Sequence, residues 1–114
     1  MRDRQEHWYV DLLLIADSHS DNAYAGTTGA EVVPFENNSI EGSNSVLERD
    51  WNRYLEDVAR ANKLICNIDL VTDNSLTTAE RAQYKAEAKI FRAMVMFDMV
   101  RLWGDFPVIS TVAD

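Results

Sequence analysis

The sequence contains little cysteine, proline or glycine. Its single cysteine, Cys66, excludes an internal disulfide framework and a paired-cysteine metal site. Two prolines and four glycines in 114 residues, with no alternating apolar and polar pattern, argue against β-structure. We therefore expect an all-α chain in which Cys66 packs as a small apolar side chain.

Basic residues and long apolar runs are also scarce. The chain has 19 acidic and 11 basic residues and a net charge of −8, which would repel a phosphate backbone and excludes nucleic acid as a partner. The longest apolar segment, residues 90–103, is interrupted by Arg92, Asp98 and Arg101. Charges within it would be costly in a bilayer, so the sequence predicts no membrane span.

Candidate metal ligands are present but poorly spaced. The stretch that begins at Asp17 has acidic residues where a calcium-binding EF-hand loop needs them, but Asn22 replaces the required Gly and Thr28 the required Glu. His7 and His19 have no other ligands at zinc-binding spacing. We predict no metal and no cofactor.

Helix-start signals and apolar periodicity define the elements. Ser45 with Glu48, and Thr77 with Glu80, form sequence patterns typical of capping boxes, and Gly104 marks a helix end. The short polar turn between the second and third helices predicts an antiparallel hairpin. The predicted helices span residues 4–18, 46–69 and 78–103, and a long loop, residues 23–44, follows the first helix.

The third predicted helix is apolar on two faces. Leaving a large apolar side chain in water costs about 1.5–3 kcal/mol, and the second helix can cover only one face. We therefore expect this chain to be part of a larger helical protein. The charges in this helix, Asp98 with Arg101, and Glu87 and Arg92 toward an adjoining helix, should pair. One predicted face of this helix consists of Ala82, Ala86, Ile90, Ala93, Phe97 and Val100. The other consists of Tyr84, Ala88, Phe91, Val95 and Leu102.

The predicted core also includes three tryptophans, Trp8, Trp51 and Trp103.

The segment EAKIFRAMVMFDMVRLWGDFPVI resembles the signature of the SusD/RagB family of outer-membrane nutrient-binding lipoproteins. The upstream helix WNRYLEDVARANKLICNID and the loop DSHSDNAY are similar to segments that precede this signature in the family. Methionines replace the aromatic or aliphatic residues that the family favours within the signature. The structural signature positions are Trp51, Tyr54, Asn62, Glu87, Arg92, Asp98, Trp103, Gly104 and Pro107.

The resemblance implies a fold and a function. The fold is built on tetratricopeptide-like helical hairpins with long inserted loops, of which residues 1–114 would be a partial domain. Family members are non-catalytic proteins on the outer surface of the outer membrane, which capture glycans or peptides for a SusC-like TonB-dependent transporter. The implied lipid anchor is absent from this chain, because Cys66, within a helix, cannot be the lipidated residue.

The long loop holds the predicted ligand-binding residues. Glycan sites combine an aromatic platform with amide and acid side chains, and the loop supplies this mixture. An ordinary polar loop with one buried Phe is the alternative interpretation. The alternative function is a helical-repeat interaction scaffold. Hydrolysis would need two carboxylates that face one cleft, which the spacing does not support, so no catalytic residue is predicted. The predicted ligand-binding residues are Tyr24, Phe35, Glu36, Asn37 and Asn38.

Overall fold

The structure, a computed structural model, describes residues 11–72 and 75–110. Within these ranges every regular element is a helix and no strand occurs, which confirms the predicted all-α class. The chain divides into two units, Met1–Arg53 and Tyr54–Asp114. The elements are a π-helical segment, Leu14–Ser18; α1, Val33–Glu36; α2, Ser45–Asn67; a 3₁₀ turn, Ile68–Leu70; and α3, Thr78–Trp103.

The first predicted helix is helical wherever the structure describes it. Residues 11–18 are helical, and residues 4–10 of the predicted helix lie outside the described residues. Its end is the π-helical segment Leu14–Ser18, a rare geometry that periodicity does not predict. The backbone N–H and the hydroxyl of Ser20 both donate to the carbonyl of Asp17, at 3.1 and 2.7 Å, and turn the chain.

The predicted loop, residues 23–44, contains one helical turn that the sequence pattern does not reveal. This turn is α1, in which Pro34 occupies one of the first two positions. Proline is tolerated there because the first N–H groups of a helix have no partner within the helix. Phe35 in α1 has no exposed surface, so burial of one aromatic ring accompanies the turn. Four residues are too few to show a helical period.

Asn44 caps α2, one residue earlier than the predicted capping residue Ser45. The side-chain oxygen of Asn44 accepts a hydrogen bond from the N–H of Val46 at 2.9 Å, and its carbonyl accepts from the N–H of Glu48 at 3.1 Å. Asparagine is among the most favourable capping residues. Ser45 is instead the first residue of the helix, so the prediction of a capping box with Glu48 was wrong.

The second capping box has the predicted geometry. Thr77 Oγ1 accepts from the N–H of Glu80 at 3.2 Å, and Glu80 Oε2 accepts from the N–H of Thr77 at 2.8 Å. The N–H and the hydroxyl of Thr77 both donate to Glu80 Oε2, the hydroxyl at 2.7 Å, and these two bonds hold the pKa of Glu80 below its usual value. At the other end Gly104 has a φ of 72°, a conformation that costs a residue with a side chain more than it costs glycine. Helix α3 therefore begins and ends at locally encoded signals.

In the second unit, α3 pairs with the C-terminal part of α2. The rings of Tyr54 and Trp103 meet edge to face, with centroids 5.6 Å apart, and Arg92 Nη1 donates to Asn62 Oδ1 at 2.6 Å. The positions on α3 fall as those on α2 rise, so the two helices are antiparallel. The connection is held to α3 by an ion pair between Lys85 and Asp69. The predicted helical hairpin is present.

The two predicted faces of α3 differ in burial. The face that includes Ala88 and Val95 points inward except at Tyr84, which is exposed, and Met99 joins the buried residues with no exposed surface. Every residue of the other predicted face is exposed. We call this exposed face the outer stripe; it consists of Ala82, Ala86, Ile90, Ala93, Phe97 and Val100.

The single cysteine and the predicted core tryptophans are less buried than predicted wherever the structure describes them. Cys66 is exposed, so its predicted burial was wrong: it lies on the side of α2 away from the buried residues Ala61 and Ile68. Trp51 and Trp103 are half-buried, so neither is fully enclosed as the prediction of core residues expects. The third predicted core tryptophan, at position 8, lies outside the described residues.

Candidate functional site

The loop between residues 23 and 44 is organised around the buried ring of Phe35. The N–H of Val33 donates to the carbonyl of Gly29, and the N–H of Ser39 donates to the carbonyl of Pro34, each at 3.0 Å. These bonds close turns on both sides of the ring. Loop residues held in this way can present side chains at defined positions, as binding loops do.

Asn44 fastens the end of this loop to the start of α2. Its amide nitrogen donates to the carbonyl of Glu31 at 3.0 Å, while its side-chain oxygen caps the helix. Its backbone N–H donates to the carbonyl of Glu41 at 3.0 Å. One asparagine thus sets the positions of Glu31 and Glu41 relative to the helix N-terminus.

A concave site of about 430 Å³ lies in the first unit, between the loop that contains α1 and the start of α2. This volume is within the range of small-molecule sites, and the site is open to solvent. Six of the eight lining residues are polar, among them three serines and two glutamates. The lining residues are Ala30, Glu31, Pro34, Ser39, Glu41, Ser43, Asn44 and Ser45.

The lining can exchange hydrogen bonds with a polyhydroxylated ligand. Carboxylates only accept, whereas serine hydroxyls both donate and accept, so the site offers both halves of a hydrogen bond. No Lys, Arg or His lines it, and Glu31 and Glu41 give it a negative field. The lining also lacks an aromatic ring on which a sugar could stack.

None of the five predicted ligand-binding residues lines this site. Tyr24 is 77% exposed and offers a ring face, whereas Phe35 is fully buried and offers none in this arrangement. Glu36 is half-buried and accepts a hydrogen bond from the N–H of Ala25 at 3.2 Å, which ties together the two segments that carry Tyr24 and Phe35. Asn37 and Asn38 are exposed beyond α1. Ligand binding by these residues stays a prediction.

The sequence patterns did not predict the residues that line the site. Glu31, Ser39, Glu41 and Ser43 are exposed polar residues in a loop, which is the ordinary state of such residues. The one available signal was Asn44, a residue type that favours helix starts, directly before an apolar period. Only the fold of α1 brings Glu31 and Pro34 close to the start of α2.

The signature residues Asn62 and Arg92 form a polar clamp in the second unit. Asn62 is 1% exposed and uses both ends of its amide: Oδ1 accepts from Arg92 Nη1, and Nδ2 donates to the carbonyl of Ile109 at 2.9 Å. Arg92 Nη1 also donates to the carbonyl of Ser110 at 3.2 Å. The clamp therefore holds the chain after α3 against both helices of the hairpin. The predicted reach of Arg92 to an adjoining helix is confirmed.

The remaining signature residues have structural surroundings. Asp98 pairs with Arg101 at 3.4 Å, as predicted. Glu87, however, is exposed and accepts from Gln83 Nε2 at 2.8 Å on its own helix, and its predicted contact with an adjoining helix does not occur among the described residues. Pro107 is exposed beyond the end of α3.

Two buried carboxyl groups meet in the first unit. Asp11 and Asp50 are each 1% exposed, and no donor in the described part of the chain reaches either oxygen of Asp50. Arg49 donates to both oxygens of Asp11, through Nε at 3.2 Å and Nη2 at 2.6 Å, and Arg53 Nη1 lies 3.8 Å from Asp11 Oδ2. Two ionised carboxylates can only accept, so a bond between them needs a proton.

That proton belongs to Asp50. Burial raises the pKa of Asp50 to about 8, and the hydrogen bond and negative charge of Asp11 act in the same direction. The positive charges of Arg49 and Arg53 oppose the rise without cancelling it. The sequence did not predict these buried acids, because aspartate is usually exposed.

The described ranges contain no group of three or more His, Cys, Asp or Glu side chains that could hold a metal ion. Likewise, none of the helices within those ranges is long and apolar enough to cross a bilayer.

This chain is similar in sequence to a curated SusD-like protein. Over 95 residues, or 83% of its length, this chain is 27% identical to a curated protein of Bacteroides ovatus that is named a SusD-like protein. The predicted SusD-like resemblance is confirmed. The match covers 16% of the length of that SusD-like protein, so this chain spans about a sixth of its relative. No protein-family model matches the chain, and no solved structure matches it significantly.

Proposed function

We propose that this chain belongs to a surface nutrient-binding protein, which captures glycans for import through a partner TonB-dependent transporter of the outer membrane. The protein binds without catalysis and is held at the outer surface by a lipid anchor outside this chain. The observation that carries the proposal is the similarity to a SusD-like protein over 83% of the chain.

The loop site in the first unit supports glycans as the ligand class. A neutral sugar presents hydroxyl groups that need donors and acceptors at close spacing, and Ser39, Ser43 and Glu41 supply both. The site is open, which suits an extended oligosaccharide that is captured and released. Tyr24, an exposed aromatic residue in the same unit, is the proposed stacking residue.

Binding requires no proton transfer or covalent step here. Ligand hydroxyls replace water on the carboxylates and serines, and the fixed position of Asn44 keeps these groups in place. Because the groups are solvated before binding, each hydrogen bond contributes modestly and several are needed together.

The test is isothermal titration calorimetry of the purified longer protein with neutral oligosaccharides chosen from a glycan array. Removing the charged acceptor with Glu41→Gln should weaken binding about 10-fold, because hydrogen bonds to charged groups contribute about 1.5–3 kcal/mol. Glu56→Gln is the matched control: it removes an exposed glutamate of α2 and should leave affinity unchanged.

Four outcomes would contradict the proposal. No binding to any glycan would remove the function, and equal effects of Glu41→Gln and Glu56→Gln would remove the site while leaving the function. Release of shortened oligosaccharides during incubation would make the protein a hydrolase. Binding of a partner protein without any glycan would favour the scaffold alternative.

A further inference from the structure

Asp50 is a buried acid that receives no hydrogen bond. It is 1% exposed, and neither of its carboxyl oxygens accepts from a donor in the described part of the chain. An ionised carboxylate that is withdrawn from water without donors is very costly, so such a group takes up a proton instead. The position of Asp50 in the fold is therefore what keeps it neutral, and local opening of the fold would let it ionise.

Among the described residues, three charged groups face Asp50. Asp11 lies on the first helix, residues 11–18, whereas Arg49 and Arg53 lie beside Asp50 on α2. Arg49 donates to Asp11 through two nitrogen atoms, and Arg53 Nη1 lies 3.8 Å from Asp11 Oδ2. The arginines thus bind the first helix to α2 through Asp11. A neutral Asp50 adds no second negative charge beside these ion pairs, whereas an ionised Asp50 would repel Asp11.

The first helix also supports the helical turn α1. The π-helical segment Leu14–Ser18 contacts α1, and all of these residues belong to the first unit. Ser18 is 7% exposed, and Phe35 of α1 has no exposed surface. Pro34, next to Phe35, lines the concave site. A displacement of the first helix from α2 would therefore remove a neighbour of α1, the turn that supplies part of the wall of the concave site.

We propose that Asp50 and Asp11 form a proton-dependent latch that holds the first helix against α2, and that opening of this latch frees α1 and loosens the concave site. When the latch opens, the carboxyl group of Asp50 meets water and releases its proton to the solvent; when the latch closes, the group takes a proton back. If the concave site binds glycans as proposed above, a rise in pH weakens that binding, and this consequence alone rests on the proposed function.

The latch weakens as the pH rises. In the closed state burial raises the pKa of Asp50 to about 8, whereas in the open state the group has the ordinary aspartate pKa of about 4. Between these two values opening releases one proton, so the equilibrium constant for opening rises about tenfold per pH unit. Above about pH 8 both states are ionised and the dependence ends.

Amide hydrogen exchange of the purified longer protein, without ligand, tests the latch. The reporters are the amides of residues 11–18 and the hydrogen-bonded amides of Phe35, Asn37 and Ser39, in and just after α1. After correction for the chemical exchange rate, we expect the protection of both groups to fall about 100-fold from pH 5 to pH 7, at tenfold per pH unit. The amides of α3, in the second unit, should keep their protection.

Two variants assign the effect to Asp50. Asp50→Asn should abolish the pH dependence, because the amide has the shape of the protonated acid and cannot ionise. Asp21→Asn, at an exposed position in the same unit, is the matched control and should keep the full fall in protection. If Asp50→Asn fails to fold, Asp11→Asn replaces it: removing the negative charge of Asp11 lowers the pKa of Asp50, so the fall in protection should end at a lower pH.

Protection of residues 11–18 that does not change with pH would overturn the proposal, and so would a fall that persists unchanged in Asp50→Asn. An equal fall in α3 would show that the whole chain opens, which also contradicts a local latch. A fall in residues 11–18 without one at Phe35, Asn37 and Ser39 would refute the link to the concave site. Because the experiment contains no ligand, these outcomes leave the proposed glycan binding standing, and calorimetric titration decides that separately.

Discussion

Helices α2 and α3 both bury apolar residues, but α2 also buries polar residues, whereas α3 leaves several apolar residues exposed. On α2, the polar side chains of Asp50, Asp57 and Asn62 are 4% exposed or less. On α3, the apolar side chains of Ile90 and Phe97 are at least 60% exposed. Apolar residues concentrate on one side of α2, whereas they surround α3.

The difference shows that burial follows the supply of partners as much as polarity. Asp50 is buried beside Asp11, and Asn62 is buried where Arg92 and a backbone carbonyl satisfy its amide. Buried polar groups are tolerated when they are hydrogen-bonded. The outer stripe of α3, in contrast, is apolar but has no neighbour within the described residues, so it stays exposed.

The largest expected effect separates the two sides of α3. Met99→Ala should lower the free energy of unfolding of the 114-residue chain by about 2–5 kcal/mol, because Met99 is fully buried and its removal leaves a cavity. Met94→Ala makes the same chemical change at a position that is 47% exposed and should cost less than about 0.5 kcal/mol. Urea unfolding followed by circular dichroism measures both. Equal losses would contradict the sidedness of α3.

The next effect tests the buried acid on α2. Since the pKa of Asp50 is raised to about 8, the folded chain keeps a proton that the unfolded chain loses near pH 4. Stability should therefore fall as the pH rises from about 4 to about 8, with a slope of up to about 1.4 kcal/mol per pH unit from this group.

Asp50→Asn should flatten that slope, because the amide resembles the protonated acid and can still donate to Asp11. Asp21→Asn, at an exposed position, should leave the slope unchanged. The measurement is urea unfolding of each variant at several pH values from 5 to 8. A slope that survives in Asp50→Asn would show that Asp50 does not hold the proton.

The smallest of these effects concerns the polar clamp between the two helices. Asn62→Ala should cost about 1–3 kcal/mol, because the carbonyl of Ile109 and one N–H group of Arg92 lose their partner. Asn52→Ala, on the exposed side of α2, serves as the control and should change stability by less than about 0.5 kcal/mol. In Asn62→Ala, the rate of amide hydrogen exchange should also rise in the segment after α3. Unchanged exchange there would mean that the clamp does not hold that segment.

Sequence patterns predicted α3 better than the loop. Thr77, Glu80 and Gly104 act within one turn of their own positions, so their roles can be recognised from spacing alone. The turn at Pro34 and Phe35 was not predicted, because it coincides with burial of a ring by residues distant in sequence. The cap at Asn44 was missed by one residue, because Asn and Ser are both good capping residues.

The candidate site shows the same limit. The long loop was recognised as the place for ligand contacts, but Phe35 is buried and the concave site is lined by Glu31, Glu41 and Asn44. These residues are separated along the chain, and they meet where α1 folds back and Asn44 bonds to the carbonyl of Glu31. No periodicity reports such a contact.

The sequence by itself determined the helical class, the start and end of α3, its two apolar faces and the resemblance to SusD-like proteins, because each depends on residues close together in the chain. Tertiary structure decided which face of α3 is buried, that Asp50 is buried beside Asp11 with its pKa raised, and which loop residues form the concave site. Those outcomes depend on which distant groups meet, since a side chain's burial and protonation are set by its neighbours in space.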